Sequence, residues 1–322
     1  MKELFNLLEN LRVNGKFQIV IDTDPGVDDS ACLIYTFIEK AADVKLLTTV
    51  SGNVSLNKST RNLLHLLDLF DLDLPVAKGA SRPMKRKPKD ATFIHQEEGL
   101  GGYVPPKTTK RQIIVEDAVS ALYRTIKNGD GKIIPLILGP QTNFGHLLSK
   151  HPDIKEKIPL IIFMGGSPFG HPDYDDYISF NISSDPEALK IVLESKIPLI
   201  MVPSDVGRRK AHLCESFITE LGKMNSSGKL LEKMYSMYWE PGYPDKRVAT
   251  NDTLALYALL YPEIFTFKKV DLTVDVSDAP GKTFVDFNGT GNVFFMADVD
   301  RPAFLNLLKT NLKKLNDVKF DI

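Results

Sequence analysis

Asp22-Thr23-Asp24-Pro25-Gly26-Val27-Asp28-Asp29 puts four carboxylates within eight residues. No Lys or Arg lies between Lys16 and Lys40 to neutralise them locally. Two carboxylates about 5 Å apart repel by roughly 3 kcal/mol at an effective dielectric of 20. Such a cluster requires a cation among its members, or bound protons. Carboxylate oxygens with no His or Cys beside them suit a hard ion, Ca2+ or Mg2+. Pro25-Gly26 supplies a turn that folds the second pair of Asp residues back towards the first. The competing reading has Asp28 or Asp29 capping a helix and the rest solvated in the turn, which accounts for one Asp better than for four.

The elements around the cluster must position it. Phe17–Ile21 reads as a buried strand, and the spacing of Leu33, Ile34, Phe37 and Ile38 predicts a helix over Ser30–Lys40. Strands are expected at Val44–Val50, Ile133–Leu138, Leu160–Met164 and Leu199–Val202. Helices are expected at Lys58–Phe70 and Glu116–Lys127, and another opens at Asp185-Pro186-Glu187. Pro135 predicts an edge position or an irregular start for its strand. The alternation gives an α/β fold, a mostly parallel sheet with helices on both faces. After Val270 the pattern turns to two-residue alternation, predicting extra antiparallel strands at Val270–Val276, Lys282–Asp286 and Val293–Met296. A last helix is expected from Pro302 to about Leu315, with Asp300 near its cap.

Ligands in such sheets bind at the carboxyl ends of the strands. Gly52-Asn53, Gly139-Pro140-Gln141-Thr142-Asn143, Met164-Gly165-Gly166 and Ser204-Asp205 all follow strands at that end, which points to one crevice. With no linker or repeat, residues 1–322 read as one domain, and residues 1–16 form an N-terminal extension. Leu4, Leu7, Leu8 and Leu11 make that extension a short amphipathic helix packed on the body.

Forty Lys and Arg against 41 Asp and Glu exclude the positive field of a nucleic-acid binder and an acidic disordered chain. Cys32 and Cys214 cannot build a disulfide framework and suit a reducing compartment. Glu3, Glu9 and Arg12 interrupt any secretion signal, and no apolar run reaches the roughly 18 residues of a membrane span. A cytoplasmic protein with no membrane or nucleic-acid partner is expected. Ser81–Pro106, with its Lys85-Arg86-Lys87-Pro88-Lys89 run, reads as a solvated loop of lid length. Arg208-Arg209-Lys210 reads as a solvated helix start, His65 as structural, and His146 and His151 as helix-end residues.

The acidic motif resembles the N-terminal signature of the inosine–uridine-preferring nucleoside hydrolases. Thr48-Thr49-Val50-Ser51-Gly52-Asn53 and Thr60-Arg61-Asn62 continue the match in register, and His95-Gln96-Glu97-Glu98-Gly99-Leu100-Gly101 is similar to the family's His-Gly-x-x-Gly loop. Gly139–Asn143, Met164–Gly166, Phe180-Asn181-Ile182, Asp185–Ala188 and Asn251-Asp252 follow in family order, so the resemblance runs from about Phe17 to Leu315.

The resemblance implies an open Rossmann-type sheet and hydrolysis of the N-glycosidic bond of a ribonucleoside to ribose and free base. It implies a bound Ca2+ and a metal-bound water activated by an Asp general base. By motif position, Asp24 is metal ligand and base, Asp29 and Asp252 are further ligands, and the Leu138 carbonyl completes the set. Asp28, Asn53 and Asn181 hold ribose hydroxyls and His95 is a further substrate contact, while Asp173, in the segment Gly170–Tyr177 that has no clean family match, is a candidate sugar contact. A small-molecule ribonucleoside is the partner, purine or pyrimidine salvage the setting, and a homodimer or tetramer the expected assembly by analogy.

Three positions depart from the family pattern. Asn251 stands where many members carry a His that assists the leaving base; it donates a hydrogen bond but no proton. Ser179 replaces a Glu, and Gln96 replaces a Gly. Tyr235, Tyr238, Tyr243 and Asp245 are candidate leaving-group acids, and Trp239 a candidate stacking surface. Two other readings compete: a non-catalytic or weakly active ribonucleoside-binding homologue, and a phosphohydrolase of the haloacid dehalogenase type built on Asp22-x-Asp24. The second has Gly26 where Thr or Val is usual and leaves Asn53 and Asn251-Asp252 without a role.

Overall fold

Asn14-Gly15 turns the chain at φ 51 and 77, the left-handed pair that suits a two-residue hairpin. It joins β1 (Arg12–Val13) to β2 (Lys16–Thr23). The computed structural model describes residues 2–170, 178–239 and 245–315. The remaining strands are β3 (Ala42–Thr49), β4 (Val76–Lys78), β5 (Ile134–Ile137), β6 (Ile161–Met164) and β7 (Leu199–Val202). They are followed by β8 (Phe265–Val274), β9 (Thr283–Asp286) and β10 (Val293–Val299).

The sheet order is β4-β3-β2-β5-β6-β7-β10-β8-β9, with β1 paired to β2 outside that path. From β4 through β10 neighbouring strands run parallel; β8 and β9 add antiparallel pairing at the far edge. The expected antiparallel addition is therefore present, but it is hooked on through a parallel β7–β10 pair. The chain winds one way from β2 to β4 and the other way from β5 to β7. The topological switch thus falls between β2 and β5, where an open α/β sheet leaves its crevice.

The early helices are α1 (Lys2–Asn10), α2 (Val27–Ile38), α3 (Leu56–Leu69), α4 (Thr92–His95) and α5 (Ala118–Asn128). Next come α6 (Thr142–Lys150), α7 (Phe180–Ser184), α8 (Pro186–Glu194) and α9 (Ser204–Arg209). The last are α10 (Glu215–Gly222), α11 (Ser226–Tyr235), α12 (Asn251–Leu260) and α13 (Arg301–Lys313). Residues of β2 alternate between two cores: Phe17, Ile19 and Ile21 face α2, α11 and α12, whereas Val20 joins α5 and α6 on the other side. Leu4 and Leu8 of α1 are buried in the first core, as the extension's pattern predicts.

Three expectations are corrected. Pro135 does not mark an edge, because β5 lies in mid-sheet between β2 and β6. Pairing with β6 starts at Leu136, so the missing N–H falls ahead of that ladder. The helix after the acidic motif begins at Val27, three residues earlier than its apolar spacing suggests, because Gly26 takes the N-cap position. The basic run is only partly solvated: Arg86 pairs with Glu187 at 2.8 Å and donates to the Val276 carbonyl at 2.7 Å. Among the described residues no helix is long and apolar enough to cross a membrane.

Candidate active site

Because α2 starts at Val27, Asp28 and Asp29 sit in its first turn, where exposed N–H groups favour negative charge. The Asp29 carboxylate accepts from the backbone N–H groups of Gly26 (3.1 Å) and Asp24 (3.2 Å). It also accepts from the Thr23 hydroxyl (2.6 Å) and the Asn53 side-chain amide (2.8 Å). Asn53 then turns its own backbone N–H on Oδ2 of Asp24 at 2.7 Å. Asp252 arrives from the first turn of α12, far away in sequence. One carboxylate oxygen from each of Asp28, Asp29 and Asp252 lies within 4.8 Å of the others, a spacing that one cation can span.

Asp24 stands beside that trio. It is fully buried between two glycines: a Cβ at Gly52 would come 1.9 Å from its Oδ2, and one at Gly139 would come 2.5 Å from its Oδ1. Oδ1 of Asp24 and Oδ1 of Asp252 are buried without a hydrogen-bond partner. Burial pushes both carboxyls well above their ordinary range, and the neighbouring carboxylates push them further. Orphaned, crowded carboxylate oxygens at one place fit a divalent cation, which would supply the missing partner. Below them Asp22 accepts from Thr48 (2.5 Å) and Asn143 (2.7 Å), and burial raises it to about 7.

The pocket above the cluster is lined by Asp28, Asn53, His95, Leu138, Asn181, Asn251 and Asp252, which brings together most of the residues picked out from sequence. The Asn181 amide donates to the Leu138 carbonyl. Asp173 lies outside the described residues, as do His171 and Tyr243. Among the candidate acids, Tyr238 lines the pocket and packs on His95 with ring centroids 5.0 Å apart. Tyr235 belongs to the core, Asp245 is paired with Arg247, and Trp239 packs against the core edge. Arg208 corrects the solvated helix start read from sequence, because it lies in the last turn of α9. It lines the pocket, whereas Arg209 donates to the Gly170 carbonyl and Lys210 pairs with Asp298. Its position on α9 beside Asn251 is a tertiary fact with no local signal.

The profile of the inosine-uridine preferring nucleoside hydrolases matches residues 19–306. The chain belongs to this family. It is 34% identical over 279 residues to the non-specific ribonucleoside hydrolase of Salmonella enteritidis PT4, covering 86% of this chain and 90% of that one. A purine-preferring ribonucleoside hydrolase from Gardnerella vaginalis superposes with a TM-score of 0.86 at 27% identity, over 94% of this chain and all of the other. A plant nucleoside hydrolase superposes at 0.85 and 26% identity, over 92% and 99%. Membership in the nucleoside hydrolase family displaces the haloacid dehalogenase reading.

The three departures from the family's pattern now have geometry. The Ser179 hydroxyl accepts from the Gly166 N–H at 2.7 Å, bracing the Gly165-Gly166 turn at φ 151 and 90. Asn251 is buried with Oδ1 against Gly207, where a Cβ would approach to 2.1 Å. Gln96 holds φ 65 and ψ 169, backbone that ordinarily belongs to glycine.

Proposed function

We propose that this pocket hydrolyses the N-glycosidic bond of ribonucleosides, releasing ribose and a free nucleobase. The observation that carries the reading is the convergence of Asp28, Asp29 and Asp252 beside the orphaned Oδ1 of Asp24, at the sheet's switch point. Asp24, Asp29, Asp252 and the Leu138 carbonyl would hold a Ca2+ ion, the choice that an all-oxygen donor set favours. That ion would lower the pKa of a water and orient ribose hydroxyls.

The remaining work belongs to the chain. Asp24, with its pKa raised by burial and by its neighbours, is the general base that takes a proton from the attacking water. Glycoside cleavage passes through an oxocarbenium-like state, and the carboxylates beneath the sugar stabilise its positive charge. Asp28, Asn53 and Asn181 hold the ribose, His95 and Tyr238 face the base, and Asn251 donates a hydrogen bond to it as it leaves. The products suit nucleoside catabolism or salvage. Two free thiols, Cys32 and Cys214, support a cytoplasmic setting.

The test is ribose release from inosine, uridine, adenosine and cytidine, with and without a chelator. Release that chelation abolishes and Ca2+ restores supports the reading, and Asp24→Ala is expected to remove it. Binding of nucleosides with no release would favour the non-catalytic alternative, for which Asn251 in place of an acid is the motive. Full rate in Asp24→Ala would overturn the role given to Asp24.

A further inference from the structure

We propose that Asn62 is a positioning residue for the reaction: its side-chain amide clamps the acidic turn to the loop that presents His95. The inference rests on the reading of the pocket given above. Asn62 lies on α3, is fully buried, and is not among the residues lining the pocket. Its Nδ2 donates to the Pro25 carbonyl at 3.1 Å and to the Glu98 carbonyl at 2.9 Å. Both amide hydrogens are thereby used, one on each segment. Oδ1 is held in turn by Arg61 Nη2 at 2.8 Å.

The two carbonyls belong to the two halves of the site. Pro25 precedes Gly26 and Val27, which open α2 and carry Asp28 and Asp29 into the cluster. Glu98 lies three residues past His95, and the two segments meet again where Val27 donates its N–H to His95 Nδ1 at 3.0 Å. Asn62, Pro25, Val27, His95 and Glu98 thus close a ring. The loop needs holding from outside, because Gln96 sits at φ 65 and ψ 169, a glycine's backbone in a residue with a side chain. Backbone of that kind persists only where surrounding contacts over-determine it. Lys58 and Arg61, one turn apart on the same face of α3, add ion pairs to Glu97 and Glu98. The loop is packed tightly on the clamp, since a Cβ at Gly99 would lie 3.0 Å from Asn62 Nδ2.

Asn suits this place chemically. One planar nitrogen must donate to two carbonyl oxygens at short reach, which Asp, of the same shape, cannot do. Asn62→Asp turns two hydrogen bonds into acceptor–acceptor contacts, and the His95 loop is the part least able to stay in place without them.

Two measurements test this. In 15N-histidine NMR of the ligand-free protein, the wild type is expected to show His95 with Nδ1 as acceptor and Nε2 protonated. Asn62→Asp should weaken the Val27 bond and move that signal towards a tautomer mixture; an unchanged His95 signal overturns the proposal. In ribose release, Asn62→Asp should lose about 10²-fold in kcat/KM, as a small misplacement of a reacting group does. In a His95→Ala background the same change should cost only a few-fold, because the group it positions is already gone. Losses that multiply in full overturn the proposal. Should Asn62→Asp fail to fold, Arg61→Ala, which loosens the same loop from the surface, goes through the same two measurements. If the wild type releases ribose from no nucleoside, the functional reading fails and the NMR arm alone decides the clamp.

Discussion

Val27 donates its backbone N–H to Nδ1 of His95 across 3.0 Å, tying the first turn of α2 to a loop 68 residues further on. A ring nitrogen that accepts cannot also carry a proton, so the neutral ring keeps its hydrogen on Nε2, on the other side of the imidazole. Burial agrees, lowering the His95 pKa to about 3.

The sign of the pH effect follows. An unfolded His takes up a proton below about 6.5, while folded His95 does not until about 3, so its share of stability is present above 6.5 and lost as pH falls. Asp22, Asp24 and Asp252, with raised pKa values, act in the opposite direction, so the wild-type curve alone is a mixture. The informative quantity is the difference from His95→Gln. Between pH 7.5 and pH 5 the wild type should lose about 2 kcal/mol relative to that variant in urea unfolding. Parallel curves would show that His95 titrates normally.

Gly139 and Gly52 leave room for the Asp24 carboxylate, so a methyl group at either place must displace it. Gly139→Ala should keep its far-ultraviolet spectrum and lose about 10²-fold in kcat/KM for ribose release, with Gly52→Ala more severe. An unaltered rate in both would mean that the position of Asp24 is not critical to the chemistry.

The sequence exposed those parts of the site that are local. Asp22–Asp29 is contiguous, and Asn53 and Asn143 each follow a strand end, so type and spacing found them, whereas Asn181 came only from the family resemblance. The strands were legible because parallel strands buried on both faces read as short continuous apolar runs. What escaped depends on pairs distant in the chain. Arg208 reaches the pocket through α9, and Gly52 and Gly139, though placed at strand ends by the sequence, gave no sign that both press on Asp24. Of the two readings of Pro135 the irregular start holds and the edge does not, because tolerance of a missing N–H depends on where the neighbouring ladder begins. The start of α2 was misplaced because Gly26 caps it without a side-chain hydrogen bond, leaving no cap residue to read.

Gln96 keeps a glycine's backbone, at φ 65 and ψ 169, in a side-chain-bearing residue. Conformations of that kind cost about 1–3 kcal/mol, partly offset in a Gly variant by the greater freedom of its unfolded chain. Its side chain makes one long bond, 3.3 Å to the Met237 carbonyl. Gln96→Gly should therefore stabilise the protein by about 1 kcal/mol in urea unfolding. A lower midpoint would show that the side-chain contact outweighs the strain.

Asp24 and Asp252 hold protons more tightly than free carboxyls because they are buried beside other carboxylates. A cation that uses these oxygens must displace those protons, since a ligating carboxylate is deprotonated. Ca2+ binding at pH 6 should therefore release protons, and affinity should fall with acid by about tenfold per pH unit for each proton released. Calorimetric titration of the metal-free protein with Ca2+, in buffers of different ionisation enthalpy, reads the proton count directly. Asp24→Asn should lower that count as well as the affinity, because it removes one of the two protonated carboxyls. Heats that do not depend on the buffer would mean that Asp24 and Asp252 are already ionised at pH 6 or that the ion binds away from them.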